Sequence, residues 1–370
     1  MKIIAFYLPQ FHSIKENDEW WGEGFTEWTN LKTSKPSFKG QYMPRIPYEN
    51  NYYNLLNVST LEWQAEIAKK YGVYGFAYYH YWFEGDMLLE KPAELMLKNK
   101  SVDIPFCFSW ANHTWSRRWA NKENTILKKQ EYGSEKDWID HFYYLLPFFL
   151  DDRYITINDK PLMILYNPLG VNEFPEMIKL WQKLAVENGL NGITFVHQQN
   201  EFNHKEESDG ELYDYGIEFQ PNKAVTQYID KNLKFGAKRL FNRVADVLPF
   251  LRCKATTMHY SYEDIWDIIL KTVPKDDTWF PGAFVDWDNT PRRKNRGQLC
   301  TDTSPEKFRS YLSKQIQRSR QVYNKDYLFM FAWNEWGESG YLEPDEKYEY
   351  RMLEAVKKAL DDNDEFPSWN

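Results

Sequence analysis

Two glutamates near the C-terminus form the clearest chemical pattern in this sequence. An apolar run, Tyr327–Trp333, leads into Glu335 and Glu338, which lie three positions apart. In an extended strand such side chains would face opposite ways, but Gly337 allows the backbone to bend so that both carboxylates face one pocket. Two carboxylates in different environments can hold different pKa values, so that one gives a proton while the other accepts one. This is the chemistry by which glycosidic bonds are cleaved.

The same two acids could equally be solvated groups on a loop, because acidic pairs are common in proteins. Their neighbours favour the pocket: Trp333 and Trp336 bracket Glu335, and Asn334 comes directly before it. Loop acids rarely have two indoles and an amide beside them. We therefore expect Glu335 and Glu338 to be catalytic.

Polar and aromatic side chains also follow the other apolar runs of the chain. Aromatic residues make up 18% of the sequence, with 16 Trp, 26 Tyr and 24 Phe, which is more than a core needs. Taken singly, each His or Trp is more often a packing residue than a ligand-binding one. Together, amide, imidazole and carboxylate groups beside indole rings are typical of a pocket for a polyhydroxylated ring. The predicted substrate-binding residues are Tyr7, Gln10, Glu27, Trp28, Tyr79, His80, Trp82, Trp110, Asn112, Tyr166, His197, Gln198, Asp286, Trp287, Asp288, Arg292, Trp333, Asn334 and Trp336.

Metal and nucleophile chemistry have weaker support. No H-E-x-x-H spacing and no G-x-S-x-G turn occurs in the sequence, so we expect no metal and no cofactor. A metal site would need convergence of His80, His113, His197 and Asp286.

Arginines beyond the ends of the apolar runs leave a phosphate site open. Guanidinium groups hold phosphates well, and a sugar nucleotide carries a diphosphate. The alternative is that these arginines are solvated on loops. The residues concerned are Arg117, Arg118, Arg292, Arg293 and Arg296.

Eight short apolar runs, separated by helical patterns, must position these side chains. Strands that alternate with helices favour a parallel sheet, and eight buried strands favour a closed (β/α)₈ TIM barrel of the α/β class over an open doubly wound sheet. No glycine-rich nucleotide motif occurs. The runs are Lys2–Leu8, Gly75–Trp82, Pro105–Trp110, Pro161–Tyr166, Gly192–His197, Tyr215–Phe219, Tyr327–Trp333 and a run near Trp279–Trp287 that Pro281 and Gly282 interrupt.

The chain is predicted to form one domain with long loops after its strands. Two segments, Gln10–Val58 and Pro221–Tyr260, are too long for plain connectors and would leave the C-terminal ends of strands, where barrel enzymes place their sites. The catalytic domain is expected to span residues 1–360, followed by an acidic, frayed tail at 361–370.

Composition excludes several classes of protein. The 370 residues carry a net charge of −8, which argues against a nucleic-acid partner. There is no run of 18 apolar residues and no cleavage site of a leader, so no membrane span is expected. The low, odd number of cysteines, at Cys107, Cys253 and Cys300, favours a reducing cytoplasm. The expected partner is a carbohydrate, and the oligomeric state stays open.

Five ordered motifs resemble one family across nearly the whole chain. They are similar to motifs of the WbsX-like proteins, a glycoside hydrolase family 99-like group of bacterial polysaccharide gene clusters. The resemblance implies a (β/α)₈ barrel and a role in surface-polysaccharide metabolism. The motifs are AFYLPQFH at 5–12, WGEGFTEW at 21–28, GFAYYHYW at 75–82, WANH at 110–113 and WNEW at 333–336.

A more distant resemblance links the chain to the family 99 endo-α-mannosidases, which have His at the position of Gly337. It implies that Glu335 is the base that deprotonates the sugar 2-hydroxyl, which then displaces the leaving group through a 1,2-anhydro sugar. Glu338 would be the general acid and then the base, and the anomeric configuration would be retained. The segment from Pro281 to Arg292 resembles another part of the same family's site.

Three hypotheses follow for the function. The first is a retaining glycoside hydrolase acting on a bacterial surface polysaccharide or oligosaccharide, favoured by the carboxylate pair and the absence of a nucleotide motif. The second is a glycosyltransferase of O-antigen (lipopolysaccharide) or exopolysaccharide biosynthesis using a sugar-nucleotide donor, favoured by a cytoplasmic location. The third is a carbohydrate-binding protein without catalysis, which needs the aromatic cleft but not the carboxylates.

Overall fold

A parallel sheet of nine strand segments forms the centre of the protein. The structure is a computed structural model, and it describes residues 1–116, 126–168, 171–199, 212–247, 256–293 and 296–369. The segments are β1 Lys2–Tyr7, β2 Val73–Phe83, β3 Phe106–Trp110, β4 Lys160–Leu165, β5 Thr194–Gln199, β6 Tyr215–Glu218, β7 Trp279–Phe280, β8 Gly282–Phe284 and β9 Tyr327–Phe331.

The sheet curls into a barrel that closes through its seventh strand. The spatial order is β7-β6-β5-β4-β3-β2-β1-β9-β8, with every neighbouring pair parallel. The break at Pro281 divides the seventh strand, so that β7 pairs with β6 while β8 pairs with β9. Proline cannot donate a ladder hydrogen bond, which is why the strand divides there. All eight predicted strands are confirmed, and so is the (β/α)₈ barrel.

Helices surround the barrel and extend its C-terminal loops. Helices are present between the strands, as the helical patterns predict, and the long segments Gln10–Val58 and Pro221–Tyr260 carry helices of their own. The bounds are α1 Lys15–Trp21, α2 Glu27–Thr33, α3 Val58–Lys70, α4 Lys91–Lys98, α5 Glu135–Phe149, α6 Phe174–Glu187, α7 Asn222–Lys231, α8 Leu233–Val247, α9 Tyr262–Lys271, α10 Thr290–Arg293, α11 Pro305–Gln321 and α12 Arg351–Asp361.

Alternate residues of each strand face the barrel interior and the helical layer. Phe6 packs across the interior against Phe219, with ring centroids 5.2 Å apart. The next residue, Tyr7, turns outward, where its hydroxyl donates to Gln64 of α3 at 2.6 Å. Because side chains alternate with a period of two, each strand residue faces either the barrel interior or the helical layer.

The C-terminal segment is docked, and the expectation of a frayed tail was wrong. Glu365 accepts from the Met1 amino group at 2.6 Å and pairs with Arg320, which lowers its pKa to about 2. Further along, the indole of Trp369 donates to the carbonyl of Tyr74 at 2.9 Å. Glu365 therefore has fixed cationic partners, and the ring of Trp369 stacks on that of Tyr74.

None of the helices described above combines the length and the apolar character that crossing a bilayer requires. Cys107 and Cys300 are buried free thiols, and Cys253 lies outside the described residues.

The seam of the barrel, where β6 meets the divided seventh strand, has no space for a side chain at Gly282. A Cβ there would lie 1.9 Å from the backbone carbonyl oxygen of Glu218, between the two strands that close the barrel. We expect Gly282→Ala to reduce the free energy of unfolding by about 1–3 kcal/mol, measured by urea denaturation, because the seam must open to admit the methyl group. Gly236→Ala, in the open surroundings of α8, is the control and should stabilise by about 0.5–1 kcal/mol. Equal effects of the two substitutions would contradict the tight seam.

Candidate active site

One guanidinium group joins three carboxylates at the C-terminal face of the barrel. Arg292 donates through Nε to Glu27 at 2.9 Å, through Nη1 to Glu338 at 2.8 Å and through Nη2 to Glu335 at 3.1 Å. The side chains of Glu27 and Glu335 are 3% and 7% exposed, whereas that of Glu338 is 22% exposed. We call these four residues the Arg292 cluster. It holds the two predicted catalytic glutamates on a single cation.

The charges of the Arg292 cluster do not cancel. Burial raises the pKa of Glu335 to about 8, and the nearby Glu338 and Glu27 act in the same direction against the lowering effect of Arg292. The same carboxylates raise the pKa of Arg292 far above its usual value. Near neutral pH the cluster therefore holds one proton among its carboxylates, with Glu335 as its principal carrier.

Three distant segments supply the cluster. Glu27 is the first residue of α2, and its backbone N–H donates to the carbonyl of Gln10 just beyond β1 at 3.0 Å. Arg292 lies on α10, the short helix that begins where Asp288 accepts from the backbone and hydroxyl of Thr290 at 2.9 and 2.6 Å. This bond from an Asp side chain to the backbone two residues on forms a turn that leads the chain into the helix. The long loop after β1 thus meets the loop after β8.

Gly337 provides the space in which Glu27 and Arg292 meet. A Cβ at this position would lie 1.7 Å from Oε1 of Glu27 and 2.7 Å from Nε of Arg292. Any side chain here, His included, would expel the Glu27 carboxylate. The glycine that separates the two predicted catalytic residues is therefore required for the third carboxylate of the cluster.

Asn334 fixes the turn that carries both glutamates. Its Oδ1 accepts from the N–H of Leu8 at 2.7 Å, and its Nδ2 donates to the Leu8 carbonyl at 3.0 Å. The turn after β9 is thereby tied to the end of β1. The side chain of Asn334 is completely buried. Asn334 therefore positions Glu335 and is not itself available to a ligand.

Tyrosines from β2 form the barrel side of the cluster. Burial raises the pKa of Tyr79 well above its usual value, and the charge of Glu335 adds to that effect. Tyr81 is shifted in the same way by burial and by Glu335. Tyr166 packs on Tyr79 with ring centroids 6.4 Å apart. From the opposite side, the indole of Trp287 donates to Oε2 of Glu338 at 3.1 Å.

Tyr81 was missed in the sequence, although a signal for it exists. In a strand, residues two positions apart share a face, so Tyr79 and Tyr81 belong together. The sequence prediction chose Tyr79 with His80 and Trp82, which mixes the two faces of β2.

Four predicted substrate-binding residues face the helical layer, away from the cluster. Nε2 of His80 lies 2.8 Å from Nε2 of His141 on α5. Trp82 stacks on the same imidazole at 4.3 Å, and Trp110 packs edge-on against it at 4.8 Å. Tyr7, as described, bonds to α3. Strand alternation explains all four placements, since each is an outward-facing position of β1, β2 or β3.

Further predicted residues hold loops together, each through a particular contact. Asp286 pairs with the buried Arg45 at 2.6 Å, and Asn112 accepts from the N–H of Asn167 at 2.8 Å. Trp28 donates to the Tyr53 carbonyl at 2.8 Å.

The last of the predicted residues are distributed around the barrel. Trp333 packs on Phe76 with ring centroids 4.9 Å apart. Trp336 packs on Trp28 at 5.5 Å. Gln198 is buried on β5, and Gln10 is half-buried beyond β1.

Among the described residues, the side chains considered for a metal do not form one group. His113 packs on Tyr166, His197 packs on Trp279, and Asp286 pairs with Arg45. Within the described ranges, no group of three or more His, Cys, Asp or Glu side chains could hold a metal ion. Arg117 and Arg118 lie outside the described residues.

Comparison with known proteins identifies relatives in both sequence and fold. The family described as "Glycosyltransferase WbsX" matches residues 3–356. "Uncharacterized protein WxcX" of Xanthomonas campestris pv. campestris is 32% identical over 362 residues, which cover 97% of this chain and 49% of that protein. A second strain of the same organism has an equally similar protein. The chain therefore spans about half the length of the curated relatives it matches.

Solved structures share the fold at low sequence identity. The GH99 endo-alpha-mannosidase from Bacteroides thetaiotaomicron has a TM-score of 0.55 and 12% identity, with 97% of this chain and 96% of that chain covered. A "Glycoside hydrolase-like protein" has a TM-score of 0.58 and 10% identity, with 97% and 93% covered. These likenesses establish the barrel architecture.

Removal of the guanidinium should destabilise the protein more at high pH than at low pH. In Arg292→Met, three carboxylates remain without their cation, and folding then requires that more of them be protonated. We expect a loss of about 3–5 kcal/mol in the free energy of unfolding near pH 8, and a smaller loss near pH 5. The sign follows because groups whose pKa is raised in the folded state bind protons on folding, so stability falls as pH rises.

The matched control is Arg243→Met, at an exposed position of α8, which should change stability by less than about 0.5 kcal/mol. Adding Glu335→Gln to Arg292→Met should recover part of the loss near pH 8. A pH-independent loss in Arg292→Met would contradict the charge balance described for the cluster.

Proposed function

The chain belongs to the family described as glycosyltransferase WbsX, and from that premise we propose that it is a carbohydrate-active enzyme that cleaves a glycosidic bond with retention of configuration. The proposed substrate is a bacterial surface polysaccharide or an oligosaccharide derived from it. Because the chain matches only half of its curated relatives, this proposal concerns the barrel alone.

One observation carries the proposal: two carboxylates share one guanidinium but differ in exposure. Glu335 is almost fully buried, which raises its pKa, whereas Glu338 is about one-fifth exposed. A proton donor and a proton acceptor can therefore coexist over one substrate at the same pH. The tyrosines Tyr79 and Tyr81 supply aromatic surface beside them, as sugar-binding pockets commonly do.

In the proposed reaction, substrate binding moves the shared proton from Glu335 to Glu338, and the ionised Glu335 then removes the proton of the sugar 2-hydroxyl. The resulting oxygen attacks C1 to form a 1,2-anhydro sugar. Glu338 gives its proton to the leaving oxygen as the C1–O bond breaks. Glu338 then takes a proton from water as that water attacks C1 on the original face. The C1–O2 bond breaks in this step, and Glu335 returns its proton to the departing O2. Two inversions give net retention. A carboxylate of raised pKa is a stronger base once ionised, which suits Glu335 to a hydroxyl proton.

Arg292 and Glu27 act as positioning residues in this scheme. The three donors of Arg292 hold both glutamates at fixed separation, and Glu27 prevents the guanidinium from turning. Such rigid support is what an active-site constellation needs.

The family description itself favours a second candidate, a glycosyltransferase. The same carboxylate pair would then act on a sugar-nucleotide donor. Two observations favour hydrolysis: the sequence has no nucleotide-binding motif, and the guanidinium of Arg292 is already engaged by three carboxylates, which leaves a diphosphate less favourable charge. We also propose a cytoplasmic location, consistent with the buried free thiols Cys107 and Cys300.

Substrates with different leaving groups should distinguish the roles of the two glutamates. We expect Glu335→Gln to lose at least about 10³-fold in kcat/KM on every cleavable glycoside, because the 2-hydroxyl proton has no acceptor. Glu338→Gln should lose as much in kcat/KM on oligosaccharides. Its kcat/KM should be at least about 10²-fold higher on glycosyl fluorides or dinitrophenyl glycosides, because their leaving groups need no acid. Release of reducing ends, or of fluoride or dinitrophenolate, measures both.

The control for these assays is Glu354→Gln on α12, far from the cluster. Activity that survives both active-site substitutions would overturn the assignment. Release of UDP or GDP from sugar nucleotides would favour the transferase, and sugar binding with no turnover by the parent protein would favour a binding protein.

The pH dependence should reflect the raised pKa of Glu335. The active state holds one proton on the carboxylate pair, and that proton is lost as pH rises through the higher pKa of the pair, about 8. We expect kcat/KM to fall above about pH 8, with one proton lost. A profile that keeps rising beyond about pH 9 would contradict the shared proton.

A further inference from the structure

A cavity of about 410 Å³ lies beside the barrel rim, between the start of α3 and the start of α12. We call it the rim cavity. Trp336, whose neighbour in the chain is Glu335, is one of its lining residues. The residues that define the rim cavity for this argument are Tyr48, Tyr53, Trp63, Trp336, Glu343 and Tyr350.

A buried carboxylate without a cationic partner forms the base of the rim cavity. Glu343 is 2% exposed and accepts from the hydroxyl of Tyr53, the indole of Trp336 and the amide of Gln64, each at 2.7 Å. All three donors are neutral. No ion pair between described residues includes Glu343, and its burial raises its pKa to about 7. A negative charge here is hydrogen-bonded but not balanced.

Aromatic rings form the walls. Tyr48 meets Tyr350 edge-on with ring centroids 5.6 Å apart, and Trp63 lies 6.3 Å from Tyr53. The faces of such rings attract cations. The described residues that line the cavity include Glu49 and Glu343 but neither lysine nor arginine, and the cation–ring contacts of the described chain involve other rings. The lining is thus negative and aromatic.

The cavity wall is fixed before any ligand arrives. The N–H of Tyr48 donates to the carbonyl of Pro344 at 3.0 Å, and the N–H of Glu49 donates to Oε1 of Glu346 at 2.7 Å. These bonds hold the loop after β1 against the segment after β9. A preformed pocket loses little ordering entropy on binding.

We propose that the rim cavity binds a small organic cation, a ligand whose primary or quaternary ammonium group packs on the rings and faces Glu343. The cation supplies the counter-charge that the buried carboxylate lacks, and the ring faces replace its water. A neutral hydroxylated ligand would fill the space but leave Glu343 unbalanced. This site does not depend on the reaction proposed for the Arg292 cluster.

Isothermal titration calorimetry with choline, D-glucosamine and D-glucose tests the proposal. Glucose is the neutral counterpart of glucosamine. We expect saturable binding of choline and glucosamine with Kd near about 1 mM, and at least about tenfold weaker binding of glucose. Glu343→Gln and Trp63→Ala should each weaken binding of both cations at least about tenfold, since one removes the charge and the other a ring face.

Glu62→Gln, next to Trp63 in α3 but outside the cavity lining, is the matched control and should bind like the parent. Circular dichroism melting shows whether each variant is folded, and the half-buried Trp63 provides a variant independent of the buried network. Equal binding of glucose and glucosamine would overturn the proposal, as would absence of binding by both cations. Binding of cations that both substitutions leave unchanged would also overturn it.

Discussion

The charge balance around Arg292 is the constraint on which the active-site face of the barrel depends. Three carboxylates and one guanidinium are removed from most of their water, so each group is tolerable only while the others stay in place. The partners come from the loop after β1, the helix after β8 and the turn after β9. Electrostatics therefore joins all three segments, in addition to the packing of Trp336 on Trp28, and Asn334 adds a neutral tie between two of them.

The same charge balance explains why short-range contacts fix the position of each segment at this face. Asp288 directs α10, Asn334 secures the turn, and Gly337 leaves space for Glu27. None of these residues needs to contact a substrate. Each removes one way in which the catalytic carboxylates could move relative to each other, and an error of about 1 Å in such a site can cost about 10²-fold in rate.

Much of this fold could be predicted because its signals are local. Eight apolar runs bounded by turn residues give the strands, and the break at Pro281 marks the divided one. The direction of each side chain was harder to predict. Tyr79 and His80 are equally good candidates for substrate binding until the strand period assigns them to opposite faces. The outward-facing residues His80, Trp82 and Trp110 meet an imidazole 61 residues away in the chain from His80, which no short window contains. The docked tail was missed for the same reason, because Glu365 finds its partners at Met1 and Arg320 only after folding.

The contact between Gly337 and Glu27 has a consequence for how such sequences can diverge. A side chain at position 337 and a glutamate at position 27 that reaches Arg292 occupy the same space, so the two cannot be inherited together. A lineage can gain a residue at 337 only after position 27 has been shortened or its carboxylate redirected. Positions 27, 292 and 337 are thus coupled through one small volume, and a change at any one of them alters what the other two can hold.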